Sequence, residues 1–342
     1  MGARVTIRDV AARAGVSAGA VSLALNGRPG VSAATKERIL AAAGELGWTP
    51  SQAARSLAGA ATGGSIGLMV PPAAELAGLA PVYMAMIGGI ESVLAERHWS
   101  LLLHTVRDPE TEAALYRQWW QSGRVSGCVL PGVTADDPRI PALHKLGMPA
   151  VALAHPSLAG PFPAVWADDA AAMAEAVRYL AVLGHRRIAR VGGPARLGQS
   201  IVRAGAFEAT ARELDLVSAR SVTTDLSAQD GARATRSLLA GPDRPTAIIY
   251  GNDIMAVAGL AVAAELGLRV PGDCSMVAWD DSDLSRITRP QLSAMSHDPF
   301  SHGAEIARCL LELLDHGRAA PRIVPAPVLV PRGTTGPPTA RI

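Results

Sequence analysis

Residues 6–26 constrain this 342-residue chain most, because they read as two short helices separated by one tight turn. Gly15 supplies a permissive backbone for the turn, and Ser17 is a good N-cap for a helix that starts at Ala18. Apolar residues recur at i, i+3 and i+4 on one face of each helix: Ile7, Val10 and Ala11, then Ala20, Val21, Ala24 and Leu25. The pattern is typical of a helix-turn-helix, whose second helix enters the DNA major groove. Taken alone, it fits an ordinary helical hairpin of a larger all-α core equally well.

The head of the chain is basic, whereas the rest is not. Residues 1–62 carry seven Lys and Arg against three Asp and Glu, a net charge of +4. Residues 63–342 carry 25 basic and 27 acidic side chains, a net charge of −2. An excess of cations confined to the head has the sign and position expected of a phosphate-binding surface. A merely solvated basic face is the alternative.

Several classes of protein are not favoured by the sequence. Residues 1–9 lack the apolar stretch of a signal peptide, and no run of about 20 apolar residues follows, so we expect a cytoplasmic protein that needs no membrane. Cys128, Cys274 and Cys309 are isolated, which predicts small core residues rather than disulfides or a zinc site. The motifs GxxxxGK[ST] and HExxH are absent, and no GxSxG elbow lies between a predicted strand and a following helix, so we expect neither catalytic residues nor a cofactor or metal.

The residues that follow the hairpin complete a small unit. Ser32 is an N-cap candidate for a long amphipathic helix, so that three helices fall within the first fifty residues. Residues 51–58 predict a further helix that is too short to be stable alone, and a glycine-bearing stretch, residues 59–64, ends it.

The order and spacing of these residues resemble the lactose-repressor/galactose-repressor (LacI/GalR) family of bacterial transcription regulators. The resemblance rests on four runs: T-I-R-D-V-A-x-x-A-G-V-S, V-S-x-x-L-N, V-S-x-x-T-x-x-x-I and G-W-x-P-x-x-x-A-R-x-L. It implies an all-α headpiece, a hinge helix that folds only on operator DNA, and a homodimer on a pseudo-palindromic operator. Leu57 matches the leucine that wedges into the minor groove at a central CpG step, a recognised way to kink DNA. Simple packing of the helix is the alternative for Leu57.

Residues 65–342 alternate short apolar strands with helical stretches, which predicts doubly wound parallel sheets. Their length exceeds one ordinary domain, and the resemblance implies a periplasmic-binding-protein-like core of two lobes. We therefore expect an α/β fold: a helix-turn-helix domain at residues 1–49, a hinge helix and linker at 50–62, and an effector-binding core at 63–342. The expected N-lobe spans about 63–164 plus 295–323, and the C-lobe about 165–294 plus 324–334. In such lobes a ligand lies at the carboxyl ends of the strands.

The resemblance also implies which residues contact DNA. We expect these to be Thr6, Ser17, Ala18, Gly19, Ala20, Ser22, Asn26, Ser32, Arg55 and Leu57. The second helix departs from relatives, which often carry bulky polar residues, because it begins Ala18-Gly19-Ala20 and has Leu23 in place of a common arginine. Direct hydrogen-bond readout of base edges should therefore be limited, and much of the sequence discrimination should come from DNA deformability.

Arg203 is the first candidate ligand residue, because residues 200–207 (SIVRAGAF) resemble the run whose arginine binds the effector in this family. A guanidinium suits paired sugar hydroxyls, although a salt bridge between the lobes is the alternative. Asn252 and Asp280 each follow a predicted strand, and Asp280 matches the family's effector-binding aspartate. Leu226 stands where relatives often place a stacking aromatic ring. The candidates to replace the ring are Tyr83, Trp166 and Phe162, although a core role is the simpler interpretation for each.

These features together predict a ligand-responsive, DNA-binding transcriptional repressor controlled by a small molecule, most simply a sugar or sugar derivative. The alternative is a sugar-binding receptor or a sugar-handling enzyme built on the same two-lobed core. A secreted receptor would need a signal peptide and would have no use for residues 6–58, and an enzyme would need catalytic motifs that the sequence lacks.

Overall fold

The computed structural model describes residues 5–25, 29–46, 48, 64–70 and 80–339. Asn26 and the expected hinge at residues 50–62, with Arg55 and Leu57, lie outside these ranges. None of the helices within the described ranges combines the length and apolar character needed to cross a membrane.

The head is a compact helical unit, as the sequence predicts. Its helices are α1 (Ile7–Ala14), α2 (Ala18–Leu25) and α3 (Ala33–Glu45). Gly15 adopts the left-handed φ of 68° that lets α1 end and the chain turn. Both predicted N-caps form: Ser17 Oγ accepts from the Ala20 amide at 3.2 Å, and Ser32 Oγ accepts from the Thr35 amide at 3.3 Å. The helices bury a shared core around Val10, Val21 and Ile39.

The first lobe is built on a parallel sheet. Its strands are β1 (Ser65–Val70), β2 (Ser100–Thr105), β3 (Gly127–Leu130), β4 (Ala150–Leu153), β5 (Ala164–Ala167) and β11 (Arg322–Val324), in the order β2-β1-β3-β4-β5-β11. The helices of this lobe are α4 (Ala80–Glu96), α5 (Pro109–Gln121), α6 (Arg139–Lys145) and α12 (Pro299–His316). β3 is buried along its whole length, as expected of a parallel strand covered on both faces.

The second lobe repeats this plan, with one difference in strand direction. Its strands are β6 (Arg187–Gly192), β7 (Ser218–Thr223), β8 (Ala247–Tyr250), β9 (Ser275–Trp279), β10 (Ser293–Ser296) and β12 (Val328–Val330), in the order β7-β6-β8-β9-β10-β12. The prediction of a parallel sheet is correct except for β12, which pairs with β10 antiparallel. The helices of this lobe are α7 (Asp169–Val182), α8 (Gly198–Glu213), α9 (Ala228–Leu239), α10 (Asp253–Glu265) and α11 (Asp283–Ile287).

The chain crosses between the lobes after β5, after β10 and after β11. The expected boundaries at residues 164, 294 and 323 fall inside these strands, because each strand continues to the carboxyl edge of its sheet before the chain leaves. The crossings therefore bring Asp168, Asp169 and His297 to the edge where the lobes face each other. The cysteines are buried and free, as predicted.

Candidate functional site

A cavity of about 980 Å³ lies between the two lobes. The carboxyl ends of strands from both sheets line it, together with the segments that follow them, as expected for ligand sites of parallel α/β lobes. We call the part contributed by the first sheet and its helices the first-lobe wall, and the part contributed by the second sheet and its helices the second-lobe wall. The two walls differ in how their charged side chains are partnered.

Arg203 projects from α8 into the second-lobe wall. Its guanidinium carbon lies 3.9 Å from the centre of the Trp279 ring, and Nη2 lies 3.2 Å from a carboxylate oxygen of Asp169. Asp169 begins α7 in the same lobe, so the expected alternative of a salt bridge between the lobes does not apply. Nε of Arg203 is buried and has no hydrogen-bond partner among the described residues. The guanidinium thus lines the cavity with Asp169 as its one ion-pair partner.

Asp280 also lines the cavity and is paired with a histidine from the crossing after β10. His297 Nε2 and Asp280 Oδ1 are 2.7 Å apart, and both side chains are largely buried. Asp280 adopts a left-handed φ of 67°, an uncommon conformation for a residue other than glycine. The next residue, Asp281, instead pairs with Arg332 at 2.8 Å and does not line the cavity. Asp280 is therefore a cavity residue, whereas Asp281 forms a structural ion pair.

The first-lobe wall contains a buried charge cluster that the sequence analysis did not find. Arg139 Nη1 donates to Glu112 at 2.8 Å, and Nη2 donates to Asp137 at 2.7 Å. The side chains of these residues are at most 9% exposed. Burial, together with the negative charge of Asp137, raises the pKa of Glu112, although the charge and hydrogen bond of Arg139 oppose the rise. Burial opposes ionisation of Asp137 too, but the hydrogen bonds and charge of Arg139 outweigh it and hold the pKa of Asp137 below its usual range.

Of the three aromatic side chains considered as stacking partners for a ligand, two line the cavity and one does not. Tyr83 and Trp166 line it, and burial raises the pKa of Tyr83 to about 12, so that the phenol stays protonated. Trp166 makes an edge contact with His155, with ring centres 4.8 Å apart. Phe162 packs in the core of the first lobe instead. Leu226 lines the cavity in a left-handed conformation with φ 69°.

Asn252 does not fit its expected role as a ligand residue. Its side chain is fully buried, and both ends of the amide are used within the protein. Nδ2 donates to the Leu226 carbonyl at 2.9 Å, and Oδ1 accepts from the Met255 amide at 3.0 Å as the N-cap of α10. Because the cap fixes the amide away from the cavity, the geometry corrects this prediction. Asn252 supports the loop that carries Leu226.

Several cavity residues escaped the sequence analysis. They are Asp169, Trp279, His297, Arg139 and Glu112. Asp169 and His297 follow β5 and β10, two four-residue strands that the sequence analysis did not identify. Among the described residues, no group of His, Cys, Asp and Glu side chains is placed to hold a metal ion.

The surface expected to contact DNA is partly described. Thr6, Ser17, Gly19, Ser22 and Ser32 are exposed on the head, while Ala18 and Ala20 are half-buried. Thr6 has a structural task as well, since its amide and hydroxyl both donate to Asp9 at 2.7 Å at the start of α1. These bonds lower the pKa of Asp9. The exposed face of α2 thus presents small side chains and no charged group.

Comparison with known families supports both halves of the molecule. Residues 6–51 match the family model described as bacterial regulatory proteins, lacI family. Residues 177–335 match the model of a periplasmic binding protein-like domain.

Relatives match over nearly the full length. The transcriptional regulator MalR of Streptomyces coelicolor is 34% identical over 96% of this chain and 96% of its own length. The lac repressor dimer bound to operator and the anti-inducer ONPF superposes with a TM-score of 0.83, at 28% identity over 98% of this chain and 100% of that one. The complex of the transcriptional regulator CelR with cellobiose gives a TM-score of 0.71, at 26% identity over 97% and 100% of the two chains.

Proposed function

The chain belongs to the LacI family of bacterial regulatory proteins, and from this premise we propose that it is a transcriptional repressor controlled by a neutral sugar larger than a monosaccharide. It binds a pseudo-palindromic operator as a homodimer in the cytoplasm, and the sugar occupies the cavity between the lobes. The operator and the cellobiose bound by the two structural relatives support the two halves of this proposal. The family contains regulators, so we set aside the alternative of a sugar-handling enzyme.

The balance of charge in the cavity supports a neutral ligand. Among the described residues that line it, four are arginines and six are carboxylic acids: Arg107, Arg139, Arg196 and Arg203 against Asp108, Glu112, Asp168, Asp169, Asp225 and Asp280. This balance disfavours phosphorylated or carboxylated ligands, because the ligand's charge would add to an existing excess of negative charge. Carboxylates and guanidinium groups together match hydroxyls, which both donate and accept hydrogen bonds.

The size and shape of the cavity support a sugar larger than one ring. A volume of about 980 Å³ lies near the upper end of the roughly 300–1,000 Å³ typical of small-molecule sites. The ring of Trp279 is already covered by Arg203, and Leu226 offers no flat face, which disfavours a purine that needs a stacking platform on this wall. Two or more linked sugar rings would use both walls.

The head is suited to contact the DNA backbone and place α2 in the groove, more than to recognise base edges. The hydroxyls of Ser17 and Ser22 can donate to phosphates, and Ala18 or Ala20 can touch thymine methyl groups. With few base-edge contacts from α2, discrimination depends on the hinge. Leu57 is our proposed minor-groove wedge, on sequence grounds alone, since it lies outside the described residues. Replacing Leu57 with Ala should weaken operator binding and leave sugar affinity unchanged.

The observation that carries the proposal is the cavity with Arg203, Asp169 and Asp280 on one wall. We would test it by thermal unfolding of the full-length protein with cellobiose, maltose, glucose, glucose 6-phosphate and adenosine. A bound ligand at 100 times its Kd stabilises by about 2.7 kcal/mol, so a disaccharide should raise Tm clearly. A larger rise with glucose 6-phosphate or adenosine than with either disaccharide would overturn the assignment.

A further inference from the structure

The two lobes are joined across the cavity mouth by a short backbone bridge. Thr134, which follows β3 in the first lobe, and Leu197, which follows β6 in the second, form an isolated antiparallel bridge. Two hydrogen bonds flank this pair: the Ala135 amide donates to the Arg196 carbonyl, and the Gly198 amide donates to the Val133 carbonyl, both at 2.9 Å. We call residues 133–135 and 196–198 the interlobe bridge. It lies outside both sheets and is made of main chain alone.

The second-lobe half of the bridge is continuous with the ligand wall. Gly198 is the first residue of α8, the helix that carries Arg203. A Cβ atom on Gly198 would lie 2.4 Å from a methyl carbon of Leu158 and 3.0 Å from the Val133 carbonyl oxygen, both in the first lobe. The lobes therefore approach so closely here that an added Cβ would displace the Leu158 methyl group and crowd the Val133 carbonyl. A movement of Arg203 with α8 is transmitted directly to this contact.

The first-lobe half is held by the buried charge cluster. Asp137 accepts from the Thr134 amide at 3.0 Å, and Arg139 Nη2 donates to the carbonyls of Pro131 and Gly132 at 3.1 and 3.2 Å. Arg139 also lines the cavity. The segment that forms the bridge is thus fixed by a side chain that a bound sugar can contact. Each half of the bridge is tied to a cavity residue.

We propose that the interlobe bridge is the latch of this regulator: it forms when the lobes close on the sugar and couples occupancy of the cavity to the state of the DNA-binding heads. The inference rests on the proposed function, because it assigns a conformational role to the same cavity. Main-chain hydrogen bonds suit this task, since they depend on the distance between the lobes and not on which sugar is bound.

A reversible cross-link tests the latch. Because the hydrogen bonds flank them, Thr134 and Leu197 form a non-hydrogen-bonded pair, whose Cα atoms lie about 4.5 Å apart in antiparallel geometry. That spacing is within the range of about 4.4–6.8 Å for disulfides, so Thr134→Cys with Leu197→Cys should cross-link on oxidation by diamide. The matched control is Ala135→Cys with Leu197→Cys, because neighbouring side chains of an extended strand point to opposite sides. The native cysteines are buried.

The first readout is the rate of cross-linking in saturating maltose or cellobiose, the condition in which the bridge is proposed to form. We expect the Thr134/Leu197 pair to cross-link about tenfold faster than the control pair or more, because only the former is brought together by the bridge. Equal rates would mean that the bridge does not form in solution and would overturn the proposal.

The second readout is DNA affinity, on a duplex selected from a random pool by the unmodified protein. Maltose or cellobiose should change the affinity of the reduced variant about tenfold, within the usual range of allosteric coupling, and that of the oxidised variant less than about twofold. Dithiothreitol should restore the response. A full sugar response after complete oxidation would overturn the latch. If the unmodified protein itself responds to no sugar, the proposed function fails, while the cross-linking rates still decide whether the bridge forms.

A steric variant provides an independent test. Gly198→Val places a side chain between the lobes, so we expect the dissociation constant of the best-binding disaccharide to rise about tenfold, mostly through faster release. The matched control is Gly205→Ala in the same helix, where an added Cβ meets nothing within 4 Å. Circular dichroism would confirm that both variants are folded. Equal affinities for the two variants would contradict the latch.

Discussion

The two walls of the cavity use similar residues for different purposes. In the first-lobe wall, Arg139 donates to two carboxylates and two carbonyls, and the cluster is buried. In the second-lobe wall, Arg203 contacts one carboxylate at 3.2 Å and one ring, and it keeps a buried Nε–H without a partner among the described residues. Arg139 is held by several partners within the protein, whereas Arg203 makes one ion pair and lines the cavity, where its guanidinium can meet a ligand.

This difference assigns stability to one wall and recognition to the other. The first-lobe wall fixes the loop that bears the interlobe bridge, and the second-lobe wall presents Arg203, Asp169 and Asp280 to the cavity. Substitutions in the first-lobe wall should therefore act mainly on the free energy of unfolding, and those in the second-lobe wall mainly on sugar affinity.

The largest effect is expected from Arg139→Met. It leaves Glu112 and Asp137 buried without their cation, and breaking a buried ion pair in this way costs about 3–5 kcal/mol. Urea unfolding followed by circular dichroism measures the loss. The matched control is Arg178→Met, which removes a pair with Glu213 whose side chains are 50% and 56% exposed. Exposed pairs contribute about 0–1 kcal/mol, so Arg178→Met should have little effect. If both variants lower the free energy of unfolding equally, the buried cluster does not stabilise the first-lobe wall as proposed.

Arg203→Ala should have the opposite profile. Loss of a charge-assisted hydrogen bond to the ligand costs about 1.5–3 kcal/mol, which corresponds to a rise in Kd of roughly 10- to 150-fold. Titration calorimetry with the best-binding disaccharide measures this change. Arg212→Ala, on the exposed side of the same helix, is the control and should leave Kd unchanged. If Arg203→Ala lowers stability as much as Arg139→Met while Kd stays the same, Arg203 is structural.

The features of the fold and the site that could be predicted from the sequence depend on contacts between residues close together in the chain. Ser17 and Ser32 cap helices through bonds to residues three positions away, so both could be assigned from spacing. The partners that matter in the cavity are far apart in sequence: Arg139 and Glu112 by 27 residues, Asn252 and Leu226 by 26. Nothing in the pattern around Glu112 indicates an arginine partner, because the fold alone brings them together.

The direction of β12 and the positions of the crossings between the lobes also could not be predicted from local sequence pattern. β12 has only the residues Val328–Val330, and a run this short carries no information about whether it pairs parallel or antiparallel. The alternation of strands and helices before it predicts the lobes correctly, because it repeats over many elements. What could not be read was where each strand meets the cleft, and that position decides that Asp169 and His297 line the cavity.

Asn252 tests whether a residue that supports the second-lobe wall without lining the cavity affects stability or sugar affinity. Asn252→Ala removes the N-cap of α10 and the support of the Leu226 carbonyl, so it should cost about 1–2 kcal/mol of stability. Asn252→Ser keeps a cap acceptor and should recover part of the loss. Sugar affinity, measured by the same titration, should change less than about threefold, a coupling well below 1 kcal/mol. A loss of affinity as large as that of Arg203→Ala would restore Asn252 as a ligand residue.

The smallest effect tests whether the first-lobe wall also keeps the buried imidazole of His302 neutral. Burial, with a contribution from the charge of His297, lowers the pKa of His302 to about 4. Between about pH 4 and 6.5 the imidazole is therefore protonated in the unfolded chain but neutral in the folded chain. Protonation favours the unfolded chain, so the free energy of unfolding decreases as pH falls from about 6.5 towards 4. Between pH 7.5 and pH 5.5 this amounts to about 1 kcal/mol, which His302→Leu should remove from the pH dependence of urea unfolding. Between pH 7.5 and 8.5 the two proteins should behave in parallel, because the imidazole is neutral in both states. An unchanged slope below pH 6.5 in the variant would show that His302 is already charged in the folded protein.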